Sequence, residues 1–159
     1  MTLAETEYAD SADSELLQRI KAKDWINVQS ILNNNPESAK LPDVYDTLPL
    51  HAAIGYQAPT DVLLAVFQAY PEATRVHGTD DWLPLHIAAM WGVSAPVMEA
   101  LIRAHPQALD DSGEPGSIKG RTPRHFSGRF QHNTALLERS TEDWIRVIEA
   151  DKQETNKTK

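Results

Sequence analysis

Three histidines recur in similar surroundings along this chain of 159 residues: His51 in LPLHAAIGYQ, His86 in LPLHIAAMWG and His125 in TPRHFSGRFQ. Histidine titrates close to neutrality and serves as a general base and a metal ligand. Either chemistry needs further groups. A metal site requires a second histidine or a carboxylate at helical spacing, and covalent catalysis requires a nucleophile beside an oriented base. No HxxxH pair occurs, and neither LPLH block contains a glutamate. The chain has no cysteine, which removes disulfides, thiolate zinc sites and a cysteine nucleophile together. It has no glycine-rich phosphate loop, no G-x-S-x-G elbow and no HExxH. The expectation is a protein with no catalytic residues, no metal and no cofactor.

The recurrence itself carries more information than the histidines. Pro49 and Pro84 lie 35 residues apart, and Pro84 and Pro123 lie 39 apart. A second series, Pro36, Pro71 and Pro106, is spaced by 35 and 35, in the contexts NPESA, YPEAT and HPQAL. Two independent markers share one period, the signature of a chain built from stacked units.

Each unit reads as two helices. Proline suits the first helical position, so a first helix starts at Pro49, Pro84 and Pro123. A break at Ala58-Pro59 and at Ser94-Ala95 precedes a second helix, with Thr60 as N-cap in the earlier unit. Val62, Leu63, Val66 and Phe67, then Val97, Met98, Leu101 and Ile102, form an apolar stripe of helical period. Pro71 and Pro106 stop these helices, because the residue before proline is pushed out of the α region. ELLQRIKAKD and DWINVQSILNNNP supply the pair of the first, more polar unit. In the last unit Leu136 and Leu137 keep the register, and Trp144, Ile145, Val147 and Ile148 form a further apolar face that starts at Ser140.

The L-P-L-H start, the two-helix body and the period near 34 resemble the ankyrin repeat, whose signature is T-P-L-H. The resemblance implies an all-α solenoid of paired antiparallel helices joined by fingers, with units at about 13–45, 46–80, 81–119 and 120–150. Residues 1–12 are expected as a flexible acidic N-terminus and 151–159 as a disordered tail. The chain departs from the family in three ways. Leu48 and Leu83 replace the capping threonine, which only Thr122 keeps. An x-Pro stop replaces the family glycine. Four extra residues lie in DDSGEPGSIKG.

The same resemblance implies structural roles for His51, His86, Thr122 and His125, each ring tying backbone groups near a turn. It also draws attention to Tyr56, Trp91 and Phe130, each five residues beyond a motif histidine, with Met90 and Arg129 just before two of them. These rings sit at the end of the first helix on the concave side, where they either pack on one another or form a contact surface. The fingers add Tyr45 and Thr47, then Asp80 and Trp82, then Lys119 and Arg121. Trp82 either meets a partner or folds onto the next finger.

A net charge of −8 repels phosphate backbones, and no stretch is apolar enough for a membrane span. Neither nucleic acid nor a membrane is expected as a partner. The acidic start, without an apolar run, predicts an intracellular protein of the cytoplasm or nucleus. The function expected is a monomeric, non-catalytic module that binds another protein through finger tips and concave helix ends. The alternatives are an enzyme or enzyme-regulatory subunit on this scaffold, and a self-associating solenoid.

Overall fold

A computed structural model describes residues 13–113 and 120–157, without the side chain of Asp80. The acidic segment 1–12, Lys119, most of the DDSGEPGSIKG insertion and residues 158–159 lie outside the described residues. Among those described, all regular structure is helical: eight α-helices and five 3₁₀ turns, with no strand.

Helix α1 (Glu15–Lys21) starts at Ser14, whose hydroxyl accepts the Leu17 N–H at 3.2 Å. It buries Leu16, Leu17 and Ile20 on one side. Helix α2 (Trp25–Asn34) starts at Asp24 and buries Val28 and Leu32. Helices α3 (Pro49–Gly55) and α5 (Pro84–Trp91) both place proline at the first helical position. Their return partners are α4 (Thr60–Ala69) and α6 (Ala95–Ala104). Each of α2, α4 and α6 runs into a 3₁₀ turn that begins at proline: Pro36–Lys40, Pro71–Arg75 and Pro106–Asp110. The 35-residue proline series therefore marks a repeated stop-and-turn.

The helices pack in chain order in two rows. In one row α1 packs on α3 and α3 on α5; in the other α2 packs on α4 and α4 on α6. A continuous apolar core runs between the rows, from Leu16 and Leu17 through Ile54 and Leu85 to Leu101 and Ile102. No single pair could bury its apolar face alone, so each unit depends on its neighbours.

The start of the repeat shows how local and tertiary terms compete. Leu48 and Leu83 occupy the N-cap positions of α3 and α5 and supply no side-chain cap. Losing a cap costs about 1 kcal/mol. Both leucines are buried, and full burial of such a side chain stabilises by about 1.5–3 kcal/mol. Burial wins.

Four expectations need correction. Thr60 is the first residue of α4, not its cap; its hydroxyl donates to Ser94 Oγ at 2.9 Å, linking successive units. Thr122 sits at a cap position but makes no side-chain cap bond. The turn it starts, Pro123–Phe126, is a single 3₁₀ turn, not an α-helix. Only Pro123 of this turn is buried, the alanine pair of the other units is missing, and Gly128 follows closely. Little is left to favour propagation there, since glycine inside a helix costs about 1 kcal/mol relative to alanine.

The fourth correction concerns the tail. Helix α7 (Gln131–Glu138) and helix α8 (Thr141–Lys157) follow, and α8 continues through 151–157 where a disordered tail was expected. Ser140 caps α8 by accepting the Asp143 N–H, and buried Trp144 anchors the first turns. Once such a nucleus exists, each added residue brings a hydrogen bond at low entropic cost. Arg103 of α6 holds the extension through Asp151 at 2.7 Å. Among the described residues, no helix is long and apolar enough to cross a membrane.

Candidate interaction surface

The fingers are tight turns tied at their base. In the first, the Asp43 N–H donates to the Thr47 carbonyl at 3.0 Å and the Asp46 N–H to the Asp43 carbonyl at 3.1 Å. In the second, Gly78 donates to Trp82 at 2.9 Å and Asp81 to Gly78 at 3.0 Å. These are the same bonds displaced by 35 residues. Asp46 and Asp81 both adopt positive φ, 62° and 63°, a conformation that aspartate tolerates better than most residues. The Asp43 carboxylate organises the first finger, accepting from the N–H groups of Tyr45 and Thr47 and from Lys21 Nζ at 3.2 Å. Burial alone would raise this carboxyl. The two N–H groups and the ammonium outweigh burial and hold it below the usual range. Thr47 and Thr79 join the two fingers, with their hydroxyl oxygens 2.7 Å apart.

The motif histidines stand behind these fingers. His51 Nε2 lies 2.8 Å from the Val76 carbonyl oxygen, and His86 Nε2 lies 2.8 Å from the Asp111 carbonyl oxygen. Each contact joins a histidine to the residue 25 positions later, just past a 3₁₀ turn. Both rings are buried. Burial lowers the His51 pKa to about 4, against the opposing pull of the Val76 bond, and lowers that of His86 in the same direction. A carbonyl cannot donate, so Nε2 carries the proton in both. His86 Nδ1 is then an acceptor, and it receives the Leu83 N–H at 3.1 Å.

His125 departs from this pattern. It is exposed, and its ring meets Phe126 edge-on instead of reaching back to a turn. Its neighbour Arg124 ties the last unit instead. The guanidinium donates to the carbonyls of Leu137 at 2.6 Å and Arg139 at 2.7 Å, to Thr141 Oγ1 at 3.0 Å and to Asp110 Oδ1 at 2.8 Å. Nothing in TPRHF marks that arginine as a tether, because its partners come from α7, α8 and the preceding turn.

No protein-family model matches this chain, and no curated protein matches it.

The structure separates the aromatic residues into two groups. Tyr56 and Trp91, one at the end of α3 and one at the end of α5, are 39% and 47% exposed. Tyr45, at the first finger tip, is 70% exposed. Its exposed neighbours Leu41 and Val44 were not anticipated, since a short aliphatic residue in a loop carries no sequence signal of its exposure. Trp91 also lines a cleft of about 300 Å³ with Gln57, Pro59, Thr60, Val93 and Ser94. Among the described residues, no charged side chain lines this cleft.

Phe130 and Trp82 belong to the second group, half-buried against their neighbours. Phe130 packs on the α-carbon of Gly92, with the Arg129 guanidinium 6.0 Å from its ring centre. It is not a third exposed rung, because the final unit lacks a full first helix to project it. Trp82 folds back: its ring lies 5.9 Å from that of His86 and 6.1 Å from that of Phe126. Met90 is half-buried, and Arg121 and Arg129 are exposed. The Asp80 side chain lies outside the described residues, as does Lys119.

Proposed function

We propose that this chain is an ankyrin-like repeat module that binds another protein without catalysing a reaction, through its first finger tip and the exposed ends of α3 and α5. One observation carries the reading: Tyr56 and Trp91 occupy the same repeat position 35 residues apart and remain exposed in an otherwise well-filled array. Large rigid aromatics on a preorganised scaffold favour tight association, because little side-chain freedom is lost when they are covered. Tyr45, Val44 and Leu41 extend the apolar area onto the finger. The uncharged cleft beside Trp91 fits a neutral side chain of the partner better than an acidic or basic one.

The test is affinity capture with the intact protein beside the triple variant Tyr45→Ala, Tyr56→Ala, Trp91→Ala. A partner retained by the first and lost by the second, with equal far-ultraviolet circular dichroism, supports the proposal. Equal capture by both proteins, or capture of nothing by either, refutes it.

A further inference from the structure

The two buried motif histidines differ in one respect that bears on how the fingers are held. His86 uses both ring nitrogens: Nε2–H donates to the Asp111 carbonyl, and Nδ1 accepts the Leu83 N–H. That N–H belongs to the residue at the N-cap of α5, immediately after the second finger closes at Trp82. One imidazole therefore links the end of one finger to the beginning of the next. His51 donates from Nε2 to Val76, and its buried Nδ1 has no partner among the described residues.

A proton added to either ring must go to Nδ1, since Nε2 already carries one. On His86 the new N–H would point at the Leu83 N–H, donor against donor, and that bond would break. On His51 the new N–H would stand at a buried nitrogen that has no partner among the described residues. Neither ring could keep its place and its charge. The helices are held differently, by the apolar core through Leu85, Leu101 and Ile102.

We infer that His86, with His51 behind it, forms a proton-operated latch at the base of the finger row: protonation releases the 78–82 turn and the 111–113 segment while the helix pairs stay packed. This inference stands on the geometry of the rings and does not depend on any partner.

The charged and titratable groups around the latch can be separated from it. His77 and Asp111 act on His86 electrostatically, and Arg121 faces it with its backbone. His77 and Asp43 act on His51. Asp43 and Asp111 are held below the usual carboxylate range, in each case by hydrogen bonds and a cationic or imidazole neighbour that outweigh burial, so both stay ionised while the histidines take up protons. His77 Nε2 lies 3.1 Å from Asp111 Oδ2. On the other elements packed against α5, Glu72 pairs with Arg75, Glu99 with Arg103 and Arg124 with Asp110. His125 meets Phe126.

Amide hydrogen exchange by nuclear magnetic resonance tests the latch on the full chain. Protection factors for Leu83, Gly78 and Asp81 would be followed from about pH 7 to about pH 4.5, beside those of Leu101 and Ile102 in α6. As the pH falls below the ordinary histidine value of about 6.5 the finger amides should lose up to about tenfold protection per pH unit, as one linked proton requires, and should lose more than the α6 amides do. His77→Asn should leave the loss in place, and His86→Gln should abolish it. Three results would overturn the inference: finger amides that stay protected, finger and α6 amides that exchange together, or an unchanged transition in His86→Gln. Should that variant not fold, the wild-type His86 ring carbon shift must titrate with the same midpoint as the Leu83 exchange. A midpoint that follows the His77 ring instead also rejects the latch.

Discussion

The ring of Phe130 rests on the α-carbon of Gly92, with ring atoms 2.6–2.7 Å from where a Cβ would stand. Gly92 closes α5 in the left-handed conformation, φ 82°. Gly92→Ala therefore meets two penalties, backbone strain on the order of 1 kcal/mol and a direct clash with the ring. The expected total is about 2–4 kcal/mol, read from the denaturant midpoint. Adding Phe130→Ala should recover part of the loss, and a double-mutant cycle showing no coupling between the two sites would contradict this contact.

Arg124 gathers the last unit through contacts to α7, α8 and the Pro106–Asp110 turn. Its side chain is only partly shielded, so the gain is smaller than the sum of charged hydrogen bonds in isolation. Replacing it with methionine should cost roughly 2–3 kcal/mol. The loss should be local. Amides of α7 and α8 should exchange faster while those of α1 to α4 keep their protection. Uniform loss along the chain would contradict a local tether.

Acid should weaken the fold before the carboxylates titrate. The His51 pKa falls from 6.5 in the unfolded chain to about 4 in the folded one. Its buried neutral form therefore favours folding fully above pH 6.5, and that contribution is lost as the pH falls through 4. The linked free energy is about 3 kcal/mol, an upper estimate, and His86 adds to it with the same sign. The urea midpoint should drop between about pH 7 and about pH 4.5, and His51→Gln should flatten that dependence. A midpoint independent of pH in the wild type would rule out this linkage.

The tryptophans at 82 and 91 should behave oppositely. Trp91 is nearly half exposed, so Trp91→Ala should alter stability by no more than about 0.5 kcal/mol. Trp82 packs on His86 and Phe126, so Trp82→Ala should cost about 1–3 kcal/mol. Equilibrium unfolding of the two variants side by side decides the matter, and equal costs would mean that the two rings have been wrongly assigned to surface and interior.

Much of the helical plan was legible in the residue order. Pro49 and Pro84 sit at the first helical positions, where their missing N–H costs nothing. Pro36, Pro71 and Pro106 each follow the end of a second helix and open a 3₁₀ turn. The apolar stripe Val97, Met98, Leu101 and Ile102 is buried in full. These features depend on local sterics and helical period, which neighbouring residues carry with them. The capping expectations for Thr60 and Thr122 did not hold, because side-chain oxygens choose among partners that only packing brings near.

The repeat spacing by itself determined that the described chain is helical and in which order its units follow. It did not determine which copy of a repeated residue keeps the repeated role. His51 and His86 reach back to carbonyls 25 residues on, whereas His125 faces solvent and Arg124 ties the last unit. Tyr56 and Trp91 stay exposed, whereas Phe130 is drawn onto Gly92. Periodicity places a side chain on its helix, but burial and hydrogen bonding depend on the neighbour it meets across the stack, and the unit that starts at Gly120 has only a single 3₁₀ turn where the earlier units have a first helix.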